Sequence, residues 1–415
     1  MKNKSGRPRK SALNEAAAGN KNGRRRQNLK ATRNEAAASN ASEDRLSKLP
    51  NDLLLNILER VDTLDAIRTC ILSKQLLKLP TMLSRFYLTF SRKQVFRTNR
   101  AVAHVADNIL STRSPKVTIS ELKIRFVLLP DVSLTIGRFV ARAMATQKVG
   151  TAEFEIVTKK RHDLCSSDDL LQFGKQLNDL FGACPRAFAG LTSLWLQNMR
   201  FGFHSVLQVE HDQLVEIEVD QGKFERVELI CLPKLQRLTY DNWFSSEDPL
   251  YFGFVPQLSK LSLVKTGIRS DKTLELSQLL ANVPSIGDLC LDFGSEKIWI
   301  LPECPKLLKP ALNKLQHVNL EHLPEGCDLA WTMFILEAAP SLKELCITVW
   351  DHWCIMITNK ELRKKYCFCE KADVKWKPYA LISSTRIWLS SPSTGSNPTA
   401  ILCDTLGVLW NMRLI

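Results

Sequence analysis

Along most of this chain, hydrophobic positions recur in one short pattern: an apolar residue, then two more, three and five positions later. The alternation between the last two positions is typical of a strand with one buried face, so each unit predicts a short β-strand. The stretches between units are long enough for a return by a helix or a loop. The nine units are Ile119/Leu122/Ile124, Val149/Ala152/Phe154, Leu191/Leu194/Leu196, Leu214/Ile217/Val219, Leu235/Leu238/Tyr240, Leu258/Leu261/Leu263, Ile286/Leu289/Leu291, Leu315/Val318/Leu320 and Leu342/Leu345/Ile347.

The spacing of the units is nearly periodic. The later ones start at Leu191, Leu214, Leu235, Leu258, Ile286, Leu315 and Leu342. A proline precedes the start of four units by two residues, at Pro233, Pro256, Pro284 and Pro340. The pattern and the period, roughly 20 to 30 residues, resemble leucine-rich repeats. The resemblance implies an α/β solenoid over residues 116–380, with parallel strands on its concave face. The wider gap before Leu191 contains SSDDLLQFGKQLNDLF, which predicts a capped amphipathic helix.

The residues that flank the last two apolar positions of each unit are expected to point into the concave face. Most of the charged ones are acidic, opposed in this pattern only by Lys123 and Arg125. We hypothesise that this groove binds a basic segment of a substrate protein, with Trp195 as an aromatic anchor. The alternative is that the acidic side chains are solvated and serve solubility. The candidate substrate-binding residues are Glu153, Glu155, Trp195, Glu218, Asp220, Asp241, Asp292 and Glu321.

Residues 44–84 have a different pattern, with three short apolar helical faces in LSKLPNDLLLNILERVDTLDAIRTCILSKQLLKLP. Pro50 suits the first turn of a helix, and Thr63 is the predicted cap of a second. Ser73 is the predicted cap of a third helix that ends before Pro80. Three helices this short cannot bury one another fully, so the module needs a partner. The face of the first helix comprises Leu53, Leu54, Ile57, Leu58 and Val61.

This stretch resembles the F-box, particularly in plant F-box proteins with leucine-rich repeats. The matching positions are Leu49, Pro50, Leu53, Leu54, Ile57 and Leu58, then Ala66, Arg68, Thr69, Leu72 and Ser73. The resemblance implies docking on the Skp-type adaptor of a cullin-RING ubiquitin ligase, and through it a link to cullin. The implied adaptor contacts are Leu49, Pro50, Leu54, Ile57, Leu58, Leu72 and Ser73. Family members usually carry a basic-basic-Trp-basic run after the Leu-Ser pair. Here that run is Lys74, Gln75, Leu76 and Leu77, which favours weaker docking of the third helix.

The basic charge of the chain is concentrated at its start. Eleven Lys/Arg and two Glu give residues 1–40 a net charge of +9, which leaves +5 of the total +14 for the rest. With few large apolar side chains, residues 1–43 are predicted to be a disordered tail. It fits a solvated arm or a nuclear import signal; Gly6-Arg7-Pro8 also resembles the core of the AT-hook, a weak signal for DNA binding. The candidate import residues are Arg7, Arg9, Lys10, Arg24, Arg25 and Arg26.

Two further segments complete the predicted organisation. Residues 85–115 are expected to be a helical linker. From Leu381 the composition shifts to Ser, Thr and Pro without the repeat pattern, so residues 381–415 are not expected to continue the solenoid. Both a truncated or alternatively spliced end and a cap formed by ILCDTLGVLWNM fit this last segment.

Composition narrows the class of protein. Hydrophobic residues make up 45% and charged ones 24% of 415 residues, as in globular proteins. No apolar run is long enough to span a bilayer or to form a signal peptide, so we expect no membrane contact and a location in the nucleus and/or cytoplasm. The twelve cysteines are scattered, and most of them are expected to be reduced and buried. No metal or cofactor is expected, because His352, Cys354, Cys367 and Cys369 lack the spacing of a paired Cys-x-x-Cys zinc frame.

No catalytic signature occurs in the sequence: there is no Gly-rich phosphate loop ending in Lys-Ser/Thr, no His-Glu-x-x-His and no Gly-x-Ser-x-Gly. We therefore expect a non-catalytic subunit, the substrate-recognition adaptor of an SCF-type (Skp-cullin-F-box) ubiquitin ligase. Its repeats would hold a target protein so that the other subunits transfer ubiquitin to nearby lysines. The alternative is a nuclear leucine-rich-repeat scaffold that binds proteins or chromatin without joining a ligase.

Overall fold

The computed structural model describes residues 49–70, 76–88, 113–114, 116–146, 149–201, 206–222, 224–241, 243, 248–264, 273–295, 298–323, 329–349, 386–390 and 399–402. The predicted tail, the six candidate import residues, Leu72, Ser73 and the cluster from His352 to Cys369 lie outside these ranges. The chain divides after Pro50 into two units, and the first contributes only Leu49 and Pro50 to the described residues.

The second unit is a mixed α/β structure built on a large, mostly parallel sheet. Its strands are β1 Arg85–Leu88, β2 Ile119–Val127, β3 Val149–Val157, β4 Ser193–Gln197, β5 Val206–Glu210, β6 Glu216–Asp220, β7 Arg226–Cys231, β8 Arg237–Asp241, β9 Leu250–Phe254, β10 Lys260–Val264, β11 Asp288–Asp292, β12 His317–Leu323, β13 Glu344–Val349, β14 Arg386–Ser390 and β15 Thr399–Leu402. Its α-helices are α1 Asn51–Leu58, α2 Thr63–Cys70, α3 Pro130–Thr146, α4 Ser167–Ala183, α5 Pro185–Ala189, α6 Leu276–Leu279, α7 Pro305–Leu312 and α8 Met333–Ala338, with 3-10 segments at Leu76–Met82, His162–Leu164 and Leu329–Thr332.

The main sheet has twelve strands in the order β1-β2-β3-β4-β6-β8-β10-β11-β12-β13-β14-β15. All pairs are parallel except β14 with β15. All nine predicted units form strands of this sheet, which confirms the prediction of short parallel strands. Each successive unit along the chain adds its strand next to the previous one.

The register of the sheet stacks the apolar positions of successive units. Ile217 pairs with Leu238, which pairs with Leu261, and the row continues through Leu289 and Val318. These side chains are buried and form the core behind the sheet. Burial of such a continuous ladder is what stabilises stacked units that could not fold alone.

The first two units were predicted two residues too early. Phe154 pairs with Leu194, and Ile124 pairs with Phe154, so the stacked positions of β2 are Ile124 and Phe126 rather than Leu122 and Ile124. The reason is that β2 and β3 are nine residues long and bury more alternating side chains than the five-residue strands. The apolar residues of β2 and β3 therefore match the repeat pattern at two registers that differ by two residues.

A second, three-stranded parallel sheet has the order β5-β7-β9. We call the repeats that start at Leu191, Leu214 and Leu235 the short repeats, and those that start at Leu258, Ile286 and Leu315 the long repeats. The second sheet occupies the return segments of the short repeats, where a helix or a loop was predicted, whereas the long repeats return through α6, α7 and α8. Extended chain advances about 3.3 Å per residue against about 1.5 Å in a helix, so a strand closes the repeat with fewer residues.

The N-terminal module consists of α1, α2 and a 3-10 helix. The cap prediction for α2 was wrong, because Asp62 Oδ1 accepts the hydrogen bond from the Leu64 N–H at 2.8 Å. Thr63 Oγ1 instead accepts from the Tyr87 N–H at 2.8 Å. The third segment was predicted to stop before Pro80 but runs through it, as a 3-10 helix rather than an α-helix. In an α-helix, the proline ring would clash with the carbonyl four residues earlier.

Two further predictions need correction. Residues 85–88 form β1 instead of the start of a helical linker, because Arg-Phe-Tyr-Leu alternates exposure and is rich in β-favouring aromatic residues. Most of that predicted linker, residues 89–112, lies outside the described residues. At the other end, β14 extends the main sheet in parallel register with β13, within the segment that was not expected to continue it. The alternation in Arg-Ile-Trp-Leu-Ser was hidden by the surrounding Ser, Thr and Pro.

Aromatic side chains support the later part of the sheet. Phe293 lies with its ring centroid 5.3 Å from Trp299 and 5.7 Å from Trp331. Trp299 contacts Trp243 edge to face at 5.5 Å, and Trp331 contacts Phe334 at 5.9 Å. The cysteines in the described part of the chain are free thiols. Within the same residues, no helix has the length and apolarity that crossing a bilayer requires.

Candidate functional site

The first candidate surface is the outward side of helix α1. Leu54 and Leu58 are buried, with Leu54 only 2% exposed, whereas Ile57 is 46% exposed and Leu53 is similarly open. Leu53 and Ile57 are four residues apart and therefore share one face of the helix. Exposed aliphatic side chains in pairs on a helix are typical of a surface that another protein covers.

Polar contacts hold the inward side of the module against the following strand. Glu59 Oε1 accepts hydrogen bonds from the Ser84 N–H at 2.8 Å and from its hydroxyl at 2.6 Å. The Arg113 guanidinium donates to the Leu83 carbonyl at 2.5 Å. These bonds tie the end of α1 to the residues just before β1, and Arg113 ties the same residues to the segment before β2.

The predicted adaptor contacts fall into three groups. Ile57 and Pro50 are exposed, and Leu49 is half-buried. Leu54 and Leu58 lie in the core of the module, where they shape α1 rather than present its surface. Leu72 and Ser73 lie outside the described residues. The exposed residues that the sequence analysis placed on the helix face but did not assign to the adaptor are Leu53 and Val61.

Comparison with known families identifies this module. Residues 46–87 match the model of the F-box domain. The chain carries an F-box domain. An F-box domain generally indicates a substrate adaptor of an SCF ubiquitin ligase, implies binding of a Skp-type adaptor, and is typical of non-catalytic subunits. No curated protein sequence matches this chain significantly.

The second candidate surface is the face of the main sheet opposite the buried ladder, which we call the sheet face. Three rows of side chains run across its strands in register. The first row is Lys123, Glu153, Ser193, Glu216, Arg237, Lys260, Asp288, His317 and Glu344. The second row is Arg125, Glu155, Trp195, Glu218, Thr239, Ser262, Cys290, Asn319 and Cys346. The third row is Gln197, Asp220, Asp241, Val264, Asp292 and Glu321.

Much of the first row is neutralised by ion pairs. Lys123 Nζ lies 3.2 Å from Glu153 and 2.9 Å from Glu155. Its hydrogen bond to Glu155 raises the pKa of Lys123. Arg237 lies 2.9 Å from Glu216, and this hydrogen bond lowers the pKa of Glu216. The prediction that only two basic residues oppose the acidic ones was therefore wrong, because basic residues of the first row meet acidic ones across strands.

One acidic group of the sheet face lies in its middle. We call Glu218, Asp220 and Asp241, together with Trp195, the acidic centre. Burial raises the pKa of Glu218, and the neighbouring carboxylates Asp220, Glu216 and Glu155 raise it further. Trp195 pairs in register with Glu218. The carboxylates of the acidic centre therefore lie close together although their negative charges repel one another.

Groups around the acidic centre orient its members. Gln197 Nε2 donates to Asp220 at 2.7 Å, and the Arg125 guanidinium lies 5.2 Å from the centroid of the Trp195 ring. These contacts fix an aromatic surface beside the carboxylates. The carboxylates are suited to bind lysine or arginine side chains by charge, while Arg125 makes the cation–π contact with Trp195.

The two remaining predicted residues lie apart from the acidic centre, at the ends of β11 and β12. Asp292 pairs in register with Glu321, and Asp292 Oδ2 lies 2.8 Å from His322 Nδ1. His322 was not predicted, because a β-bulge between Leu320 and Leu323 brings it to this face. Nearby, burial raises the pKa of the Cys290 thiol to about 12. One imidazole and two carboxylates thus form a small group of their own.

Proposed function

We propose that this protein is the substrate-recognition subunit of an SCF-type ubiquitin ligase. Its F-box domain docks on a Skp-type adaptor through the outward side of α1, and its sheet face binds the target protein. The observation that carries the proposal is the F-box match at residues 46–87, whose first helix exposes Leu53 and Ile57. Ubiquitin transfer is then performed by other subunits, and the protein contributes proximity.

We further propose that residues 116–380 form a leucine-rich-repeat solenoid. The strands follow one another in parallel and in chain order, as expected when each repeat packs only on its neighbours. The stacked apolar ladder and the length of the short and long repeats support the same assignment. The sheet face is then the concave surface available to a target.

The target segment is proposed to be basic. The acidic centre offers three carboxylates and an indole within adjacent strands, while the flanking Glu153 and Glu155 are already paired with Lys123 and Arg125. Binding of a lysine or arginine there would offset the burial and the carboxylate repulsion that together raise the pKa of Glu218. The proposed contact with the target segment is therefore the acidic centre and not the whole sheet face.

The adaptor contact is tested by co-expression with a Skp-type adaptor and gel filtration. Wild type should elute as a one-to-one complex, and Ile57→Asp or Leu53→Asp should abolish it without unfolding the chain. The matched control is Leu307→Asp, because Leu307 is also an exposed helical leucine, at 66%, on α7. Leu54→Ala would not test the adaptor contact, because Leu54 is buried in the core of the module. A folded wild type that does not bind the adaptor would favour the scaffold function instead.

The target contact is tested with a fluorescent Lys/Arg-rich peptide as probe. Charge reversal by Glu218→Lys with Asp220→Lys should abolish binding and its salt dependence. Glu344→Lys reverses a charge on the same face but outside the acidic centre, so it should leave binding largely intact. Equal losses in both variants would mean that the peptide responds only to overall charge, which would contradict a defined site.

A further inference from the structure

We propose that Asp292, Glu321 and His322 form a binding site for a divalent transition metal ion of the zinc type. Among the described residues, these three are the set whose histidine nitrogen and carboxylate oxygens come together closely enough to share one ion. The proposal is independent of adaptor docking. It also gives Asp292 and Glu321 a different role from the substrate contact that the sequence suggested.

The distances suit a small ion. One candidate ligand atom from each residue lies within 4.8 Å of the other two, and His322 Nδ1 lies 2.8 Å from Asp292 Oδ2. Ligands of a tetrahedral zinc ion, bound at about 2.0 to 2.1 Å, lie about 3.3 Å from one another. Side-chain rotations that move the ligand atoms by no more than about 1.5 Å would therefore give them the spacing of a tetrahedral zinc site.

The backbone positions the ligands. Consecutive strand residues normally point to opposite faces, so Glu321 and His322 would separate in a regular strand. The bulge in β12, where His322 has a φ of 50°, brings the imidazole to the same side as Asp292. Asp292 Oδ1 accepts from the Gly294 N–H at 2.8 Å, which orients the other oxygen toward the imidazole.

A serine with a buried hydroxyl lies beside the three residues. Ser295 is 3% exposed, and its Oγ has no hydrogen-bond partner among the residues that the structure describes. Its backbone N–H donates to the His322 carbonyl at 2.6 Å, which places Ser295 next to the cluster. A three-ligand zinc site carries water at its fourth position, and buried hydroxyls are usually satisfied by such a partner.

The ligand types select the class of metal. Imidazole with carboxylates suits zinc and similar ions, whereas calcium and magnesium prefer oxygen ligands alone. The same two strands provide an internal comparison, since His317 Nδ1 lies 2.6 Å from Asp288. That pair lacks a third ligand atom within reach, because the described residues form no second such group. It should therefore bind an ion much more weakly.

The test uses the full chain under reducing conditions, titrated with Zn²⁺ and then with Co²⁺. His322→Asn removes the imidazole with a residue that tolerates positive φ, and Glu321→Gln removes a carboxylate. Both should bind one equivalent fewer, or bind it at least about 100-fold more weakly, since even outer partners of metal ligands change affinity about 10- to 100-fold. His317→Asn should retain that equivalent.

Cobalt spectra separate this site from thiol sites elsewhere in the chain. The equivalent lost in His322→Asn should lack the thiolate-to-cobalt charge-transfer band, because its ligands are nitrogen and oxygen. Zinc should also raise the midpoint of thermal unfolding of wild type more than that of His322→Asn. Equal stoichiometry and affinity in wild type and His322→Asn would overturn the proposal. An equal loss in His317→Asn would overturn it too, because it would show binding by surface histidines generally.

Discussion

Arg113 is a buried cation that connects the F-box domain to the first strands of the sheet. Its guanidinium donates to the carbonyls of Leu83 at 2.5 Å, Thr118 at 2.9 Å and Val117 at 3.4 Å. It also lies 5.1 Å from the centroid of the Phe86 ring. Burial lowers the pKa of Arg113 to about 10, so the side chain remains charged at neutral pH. We predict that Arg113→Met destabilises this junction strongly.

The magnitude follows from the bonds that are lost. A hydrogen bond from a charged donor contributes about 1.5 to 3 kcal/mol, so the two short bonds give about 3 to 6 kcal/mol. The long bond to Val117 adds little. Removing the cation also removes the cost of burying it, which returns part of this sum. We therefore expect a loss of about 2 to 4 kcal/mol, with Arg113→Lys intermediate because an ammonium cannot span the same carbonyls.

Urea denaturation of the full chain, followed by circular dichroism, measures the effect. The matched control is Arg68→Met, since Arg68 has a side chain 72% exposed and a helical ion pair with Asp65 at 2.7 Å. Such exposed pairs contribute about 0.3 to 0.5 kcal/mol. If Arg113→Met unfolded at the same urea concentration as Arg68→Met, the carbonyl cluster would not be a stabilising junction and the estimate would be refuted.

Three other substitutions, one of them with a matched control, test the packing and charges of the sheet and helices. Gly253→Ala should destabilise the second sheet, because a Cβ would lie 2.4 Å from a carbonyl oxygen of β7, whereas Gly287→Ala meets nothing closer than 3.7 Å and should be tolerated in thermal unfolding. Glu218→Gln should stabilise the protein at pH 7, because the raised pKa of Glu218 means that its ionisation opposes folding; the gain should disappear below pH 4.5. The hydrogen bonds from Lys160 lower the pKa of Asp169 to about 2, so Asp169→Asn should destabilise at pH 7, with the difference from wild type lost between pH 3.8 and 2.

Nine of the twelve strands of the main sheet were predictable because each one repeats the same local requirement. An apolar pair two positions apart, such as Leu261 and Leu263, buries one face of a strand wherever the neighbouring strand does the same. Among the nine strands that carry the pattern, the prediction failed only in register, at β2 and β3, where long strands satisfy it twice. The F-box was predictable for a related reason, since helix spacing and turn residues are local features.

The chemistry of the sheet face was less predictable, because its neighbours come from different repeats. Lys123 of β2 meets Glu153 of β3, and Asp292 of β11 meets His322 of β12. The sequence shows that acidic residues are numerous. It does not show which of them form ion pairs with basic residues and which lie beside other carboxylates. His322 was missed for a further reason, since a bulge changes which face a residue occupies and leaves no mark in the apolar pattern.

Repeat length carries information that the apolar pattern alone does not. The short repeats return through β5, β7 and β9, and the long repeats return through helices. Both must cover the same distance behind the sheet, since their strands stay in register on the other side. Because a helix advances less than half as far per residue as a strand, a helical return needs more residues to cover that distance. The second sheet was therefore implied by the shorter period, even though the strand β5 has no fully buried residue and lacks a clear apolar alternation.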